Sequence, residues 1–302
     1  MYFLTDDERK KLLKSLLPKS REQGVAEELR GWNWHQPPLE PIYDVHLPLY
    51  LIAGKYCQSG RDLFLNRVER KKSAANNAMK RGSMFHELIV ETLVQTKKLI
   101  YQHNVNVEII LRELALLLPQ FIERKKELSQ QIPEIITQAT QIFNYMHSLI
   151  SSRLQETLTR QPYIGEDSLV AQVVPYVLEQ KLDGTFLGLS PNLSSDAFVF
   201  SEPMIMDLKF GPRESFHRLT TTGYALVMEA IFEYPINVGC IVYGDFKNGR
   251  LHIQKDFHII NDELRQWFIE ERDEKMRMVY DEIDPGKAEN CYETCPYIAY
   301  CS

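Results

Sequence analysis

No apolar run in this chain approaches the roughly 20 residues that a helix needs to cross a bilayer, so a membrane-spanning protein is not expected. The opening residues Met1-Tyr2-Phe3-Leu4-Thr5-Asp6-Asp7-Glu8 lack a basic n-region and an apolar h-region. No secretory signal is therefore expected, and the expected compartment is the cytoplasm. Basic residues do not predominate: Lys and Arg number 35 against 41 Asp and Glu, for a formal net charge of −6. That balance argues against a general nucleic-acid coat, but it does not exclude a protein that works through a local basic patch or a metal ion. Internal repeats do not stand out. The five cysteines form no pair of C-x2-C knuckles, the usual frame of a structural zinc site. What remains is an ordinary globular composition, 44% hydrophobic and 25% charged over 302 residues. Such a chain can bury a substantial core as one large domain or two moderate ones.

The most informative stretch is Ser195-Asp196-Ala197-Phe198-Val199-Phe200, followed by a break at Ser201-Glu202-Pro203 and then Met204-Ile205-Met206-Asp207-Leu208-Lys209. Two short Phe/Val/Ile/Met-rich runs around a break read as buried strands joined by a tight turn. Antiparallel pairing about that break sets Asp196 opposite Asp207, with side-chain carbons roughly 5 Å apart. Strand alternation puts Lys209 on the face of Asp207 and turns Leu208 away. Two carboxylates facing each other in an apolar hairpin repel. The offsetting positive charge is either the Lys209 ammonium or a divalent cation held by oxygens. A surface hairpin with a salt bridge is disfavoured because both faces carry apolar neighbours.

Along the chain, Leu12, Leu13, Leu16 and Leu17 mark a helical pattern within residues 5–30, which Gly31-Trp32-Asn33-Trp34-His35-Gln36-Pro37-Pro38 breaks. Cys57 stands at the entry to a short helix. A long helical stretch is expected from Ser83 as N-cap, carrying His86. It runs to about Arg160, with interruptions near Asn104, Pro119 and Pro133. Strands are expected at Val173–Leu182, Ala197–Phe200, Met204–Lys209, Val238–Tyr243 and Leu251–Ile259, with Asp183-Gly184 and Asn248-Gly249 as turn dipeptides. A helix over Arg218–Phe232 separates the third and fourth strands, and Asn261 caps a charged helix running to about Glu282. The fold class is therefore α/β (α+β) with a mixed central sheet and an inserted helical subdomain. One basic cluster is visible, Arg67, Arg70, Lys71 and Lys72, then Lys80 and Arg81, against the single acid Glu69. A solvated loop and helix end is the bland reading of that run. Its place just before His86 suggests contact with phosphates.

Cys240 lies inside the apolar run Val238-Gly239-Cys240-Ile241-Val242, where a small buried thiol is the default. The other cysteines differ. Cys291, Cys295 and Cys301 give C-x3-C-x5-C near the end of the chain, and Cys57 is the remaining candidate ligand. Reducing compartments seldom use disulfides, so the cluster suggests a metal: four thiolates suit zinc or an iron–sulfur cluster.

An Asp, a short gap and Asp-x-Lys on paired strands resembles the PD-(D/E)XK nuclease superfamily, and the order helix, three strands, helix, strand matches its core beginning at His86. One distant cysteine plus three near the C-terminus, with Cys295-Pro296-Tyr297, is similar to the iron–sulfur RecB-like nucleases. Among them the pattern resembles the CRISPR-associated exonuclease family with a four-cysteine cluster, in its longer archaeal-type variant. The resemblance covers residues 50–95 and 170–302. It implies a metal-dependent deoxyribonuclease in which His86, Asp196, Asp207 and the Leu208 carbonyl hold Mg²⁺ or Mn²⁺. Asp196, Asp207 and Lys209 would be catalytic, with Lys209 placing the water or steadying developing negative charge. It also implies a structural iron–sulfur cluster, of the 4Fe-4S kind, on Cys57, Cys291, Cys295 and Cys301. The substrate would be DNA with single-stranded or frayed ends, trimmed in CRISPR adaptation for the integrase proteins. The chain departs from the family at C-x3-C in place of C-x2-C, and at Thr220 where a Gln precedes the matching Tyr224. Tyr224 is thus either a substrate contact or a packing residue, and His86 either a ligand or a helix histidine paired with Glu87 or a phosphate. Glu179 and Asp183 are further acids on the preceding strand, Asp183 reading as a turn residue.

The expected organisation is an N-terminal helical and irregular segment (1–50), a first cysteine and basic segment (51–82), and a helical region starting with the His86 helix (83–160). The nuclease core (161–282) and a cysteine module (283–302) follow. Two other functions stay open: a DNA-end-binding subunit with little or no catalysis, for which Thr220 speaks, and a zinc-stapled nuclease.

Overall fold

The computed structural model describes residues 1–73, 75–199, 201–291 and 295–301. Its centre is a five-stranded sheet in the order β1-β2-β3-β4-β5, made of β1 (Val177–Leu182), β2 (Leu193–Val199), β3 (Met204–Phe210), β4 (Val238–Lys247) and β5 (Arg250–Ile259). The β3–β4 pair is parallel and the others antiparallel. A mixed sheet follows from the connections. Short turns join β2 to β3 and β4 to β5, a longer loop joins β1 to β2, and the parallel step is crossed by the helix α11 (Arg218–Phe232). The expected bounds of that helix hold. At the β4–β5 hairpin Asn248 and Gly249 both have positive φ, 50° and 70°, the pair of left-handed residues that a type I′ turn requires.

Three layers form because both sheet faces are covered, and this is why β2, β3 and β4 read as nearly continuous apolar runs. One face, with Ala197, Val199, Met204, Met206, Leu208, Val238, Cys240 and Val242, packs against α5 (Asn77–His103), α6 (Val107–Ala115), α9 (Ile135–Arg160) and α10 (Glu166–Val173). The other face, with Phe198 and Ile205, packs against α11 and α12 (Asp262–Tyr280). The helical block therefore shares one continuous core with the sheet. The N-terminus closes that core. Met1, Tyr2 and Phe3 are buried within it, and Arg9 grips Glu202 in the β2–β3 turn through Nε and Nη2 at 3.0 and 2.7 Å.

Several boundaries differ from expectation. The His86 helix starts at Asn77, not after Ser83: Asn76 caps it by accepting from the Met79 amide at 2.8 Å. Asn caps as well as Ser, and the buried stripe Met84, Phe85, Leu88, Ile89 and Leu93 carries the helix through Gly82. The interruption expected near Pro119 is the break at Leu116 between α6 and α7 (Leu117–Arg124), and Pro119 itself sits in the first turn of α7, where a missing N–H costs nothing. The first strand begins at Val177 rather than Val173, because Leu169, Val170 and Val173 bury one side of α10. Phe200, expected at the end of β2, lies outside the described residues.

Candidate active site

The β2–β3 register pairs Ala197 with Met206, Phe198 with Ile205 and Val199 with Met204. The backbone pairing ends at Ala197–Met206; the same register carried one step further would set Asp196 opposite Asp207. By alternation along the strands, Asp196 has the parity of Phe198 and Asp207 that of Ile205. Each carboxylate is held separately. Asp196 Oδ2 accepts the Leu208 amide at 2.8 Å, and Asp207 Oδ2 lies 2.8 Å from the Lys209 ammonium.

β1 extends this row. Leu178 pairs with Ala197 and Gln180 with Ser195, so Glu179 stands opposite Asp196. It does so with φ at 50°, a left-handed value that is unusual for a non-glycine residue and strained within a strand. From α5, His86 Nε2 lies 3.3 Å from Glu179 Oε1 and 3.4 Å from Asp196 Oδ1. One ligand atom each from His86, Glu179 and Asp196 falls within 4.8 Å of the others, the spacing of a cation site. Asp207 stands outside that tight group and pairs with Lys209 instead.

The electrostatics are those of an under-neutralised acid cluster. Burial pushes the Asp207 carboxyl up to about 6; Lys209 pulls it down, and Asp196 adds to the rise. Lys209 is held above the ordinary ammonium range, because Asp207 and Asp196 outweigh the burial that would lower it. Burial also acts to lower His86, yet the neighbouring Asp196, Glu179 and Asp207 raise it overall. His86 Nε2 and Glu179 Oε1 are buried without a hydrogen-bond partner of good geometry. Such orphans are costly, and one imidazole nitrogen with hard carboxylate oxygens is a donor set that suits Mg²⁺ or Mn²⁺. The residues present fit a divalent cation.

Two tyrosines border the cluster. Tyr224 of α11 donates to the Ser194 carbonyl at 2.5 Å, and its phenol is driven up by burial and then by Asp196, Asp207 and Glu179. Tyr2 feels the same acids after burial, and its hydroxyl is buried without a hydrogen-bond partner. Tyr2 was invisible as a site residue, since nothing local in the N-terminal segment signals where it packs. Asp183, by contrast, is the turn acid: its Oδ1 accepts from the Thr185 amide and hydroxyl at 2.9 and 2.7 Å.

The cysteine-rich flank forms on the short helix α4 (Arg61–Arg67) and the loop before it. Ser59 Oγ donates to the Gly286 carbonyl at 2.8 Å, Arg61 pairs with Asp284 at 3.0 Å, and Asn66 donates to the Tyr297 hydroxyl at 2.7 Å. These ties dock the end of the chain onto the Cys57 segment. Burial raises the Cys295 thiol, and Cys57 and Cys301 add to the rise, so three of the four expected ligands share one electrostatic neighbourhood. Cys291 donates to the Ala288 carbonyl at 3.7 Å, and residues 292–294 are not described. Cys240 is buried in β4, as expected of a core thiol.

The basic residues divide. Arg67, Arg70 and Lys72 are exposed. Lys71 lies 3.6 Å from Glu69 and 5.7 Å over the Tyr300 ring, and Lys80 donates to Gln131 at 3.0 Å. None of these contacts reaches the carboxylate row. Among the described residues, no helix is long and apolar enough to cross a membrane.

A strand-borne row of carboxylates, a lysine two residues beyond the last of them, a helix histidine above and a mixed sheet below define an α+β protein of nuclease type. The family model described as CRISPR-associated exonuclease Csa1 matches residues 1–302, and the chain belongs to that family. It is 30% identical over 302 residues to the CRISPR-associated exonuclease Csa1 of Saccharolobus solfataricus, covering 100% of this chain and 99% of the relative. It is 26% identical over 283 residues to the protein of the same name from Thermoproteus tenax, covering 92% and 93%. No solved structure gives a significant match.

Proposed function

We propose that this chain is a metal-dependent DNA exonuclease of the RecB-like, PD-(D/E)XK type that trims captured DNA ends for the CRISPR integrase during adaptation. The observation that carries the catalytic half is the orphaned pair, His86 Nε2 and Glu179 Oε1, converging with Asp196 within 4.8 Å. Family membership supports the nuclease role and its connection with CRISPR.

In this reading His86, Glu179, Asp196 and Asp207 hold Mg²⁺ or Mn²⁺, with the Leu208 carbonyl as an additional oxygen donor. Bound there, the cation supplies Lewis acidity toward water and phosphate. The protein's own groups do the positioning. The Leu208 amide fixes the Asp196 carboxylate, His86 presents Nε2 toward Glu179 and Asp196 at 3.3 and 3.4 Å, and Lys209 carries a permanent positive charge to where negative charge develops on the phosphate. Its ammonium is already held by Asp207 at 2.8 Å, so little reorganisation accompanies the reaction. Exposed Arg67, Arg70 and Lys72, with Lys71, Lys80 and Arg81, form the phosphate-tracking patch.

Cys57, Cys291, Cys295 and Cys301 hold a 4Fe-4S cluster of structural role. Burial together with the neighbouring Cys57, Asp62 and Cys301 raises the Cys295 thiol, which a cationic cluster core would reverse. It ties the start of the core to the end of the chain. Zinc on the same thiols is the competing assignment.

The test is a single preparation. Anaerobically purified protein should be brown, contain iron rather than zinc, and degrade single-stranded DNA with Mn²⁺. Asp207→Ala should lower the cleavage rate by ~10³-fold or more and leave the iron content unchanged. Full activity in that variant removes Asp207 from the mechanism. A colourless protein with one tightly bound zinc replaces the cluster assignment.

A further inference from the structure

Tyr56, the residue before Cys57, combines two properties seldom found together: the residue is 57% exposed, yet its orientation is fixed from within. Its hydroxyl lies 2.9 Å from His217 Nε2. His217 Nδ1 in turn lies 3.1 Å from the Tyr243 hydroxyl, which donates to the Glu214 carbonyl at 3.3 Å. Tyr243 is the β4 residue paired with Lys209 of β3. The chain of contacts therefore runs from the exposed ring to the strand position beside the catalytic lysine.

The protons in this chain can be assigned. With the Tyr243 proton directed at Glu214, His217 must donate from Nδ1 to the Tyr243 oxygen and accept from Tyr56 at Nε2. Burial and the nearby Lys209 charge hold His217 at about 4, so the imidazole is neutral near pH 7 and keeps that acceptor. Phe216 meets the Tyr56 ring edge-on at 5.1 Å and 89°. The hydroxyl is thus turned inward and engaged, and what faces solvent is an aromatic surface without a free polar tip. A phosphate has nothing to bind there. A nucleobase has, because every base offers a π-face to a presented ring.

We propose that Tyr56 is a base-stacking contact for the DNA strand engaged at the carboxylate row, and that His217 and Tyr243 are the residues that position it. This rests on the nuclease reading above and deepens it. Stacking on a ring held beside Lys209 sets which nucleotide sits next to the scissile phosphate, and it selects strands whose bases are unpaired.

The experiment uses the full chain and a single-stranded oligonucleotide carrying 2-aminopurine near its end. Anisotropy is read in Ca²⁺ and cleavage in Mn²⁺. Tyr56→Ala should raise Kd and KM by ~10-fold, from stacking strengths of a few kcal/mol at most, with the loss falling on KM more than kcat. The 2-aminopurine quenching seen with the unaltered chain should disappear. Tyr56→Trp should restore both binding and quenching, and His217→Ala should weaken them by less than Tyr56→Ala does. Kd and KM within about twofold of the unaltered chain in Tyr56→Ala would overturn the stacking role and leave the nuclease reading intact. Equal losses in the Ala and Trp variants, accompanied by a lower Tm, would also overturn it and make the ring a packing residue. An unaltered chain that neither binds nor cuts DNA would defeat the nuclease reading itself, and the stacking with it.

Discussion

Two clusters of buried charge stand in this protein, and they are built in opposite ways. On α11, Glu229 is completely buried and completely satisfied. Its Oε1 accepts from Arg30, Arg265 and the Ile236 amide at 2.9, 2.8 and 2.9 Å. Its Oε2 accepts from Arg265 and the Gly31 amide at 2.7 and 2.9 Å. The remaining guanidinium donors of Arg265 go to the carbonyls of Ile260, Leu29 and Ile236. At the carboxylate row, three acids meet one lysine and one histidine, and His86 Nε2 and Glu179 Oε1 are orphaned. A satisfied network has no capacity left for a ligand, so it serves rigidity. An unsatisfied one stores unfavourable energy that a cation can release, so it serves chemistry.

That contrast can be broken from either side, beginning with the satisfied network. Glu229→Gln should lower unfolding stability by about 3–5 kcal/mol, because two buried guanidinium groups lose their counter-charge. Urea unfolding monitored by circular dichroism measures it. At the row, Mn²⁺ at about 100 times its Kd should raise stability by about 2.7 kcal/mol; a melting temperature indifferent to Mn²⁺ would disprove cation binding by the native site.

The pH dependence of the metal-free protein has a definite sign. Asp207 titrates at about 6 in the native state against 3.8 as its unperturbed value. Between those values the folded chain binds the extra proton, so this group's contribution to stability falls as pH rises from about 4 to 6 and then levels off. The drop should be about 1–3 kcal/mol, read from urea midpoints across that range, and Mn²⁺ should flatten it at the upper end. Smallest of all should be Glu179→Gln, which removes one repelling charge and keeps the shape. It should leave metal-free stability within about 1 kcal/mol of the parent, or raise it, while weakening the Mn²⁺ response. A loss as large as that of Glu229→Gln would make Glu179 a structural residue like its counterpart on α11.

How much of this could be read in advance varied with sequence distance. The β2–β3 register leading up to Asp196 and Asp207 was legible because one short turn and a two-residue alternation determine it. Lys209 followed from the same alternation. Glu179 could only be noted as a nearby acid. Ten residues, Asp183 to Asn192, separate β1 from β2, and they include a 3₁₀ turn at Thr185–Leu187, so no turn rule carries the register across. The start of α5 was misplaced because Ser83 and Asn76 are equivalent caps by side chain, and only the packing of Met84 through Ile100 tells which one is used. Tyr2 and Tyr56 gave no local signal, since each gains its place through partners far along the chain.

Taken alone, the amino-acid order determined the element types, the hairpin at the heart of the row, the cysteine spacing and the likeness to a nuclease family. Those are properties of neighbours within a few residues, governed by periodicity, capping and turn chemistry. Only tertiary structure decided that Glu179 joins His86 and Asp196 in a left-handed conformation, and that Lys209 pairs with Asp207 while Asp196 takes a backbone amide. Electrostatic partners are chosen by distance in space and by the loss of competing water, and neither exists until the layers close around the sheet.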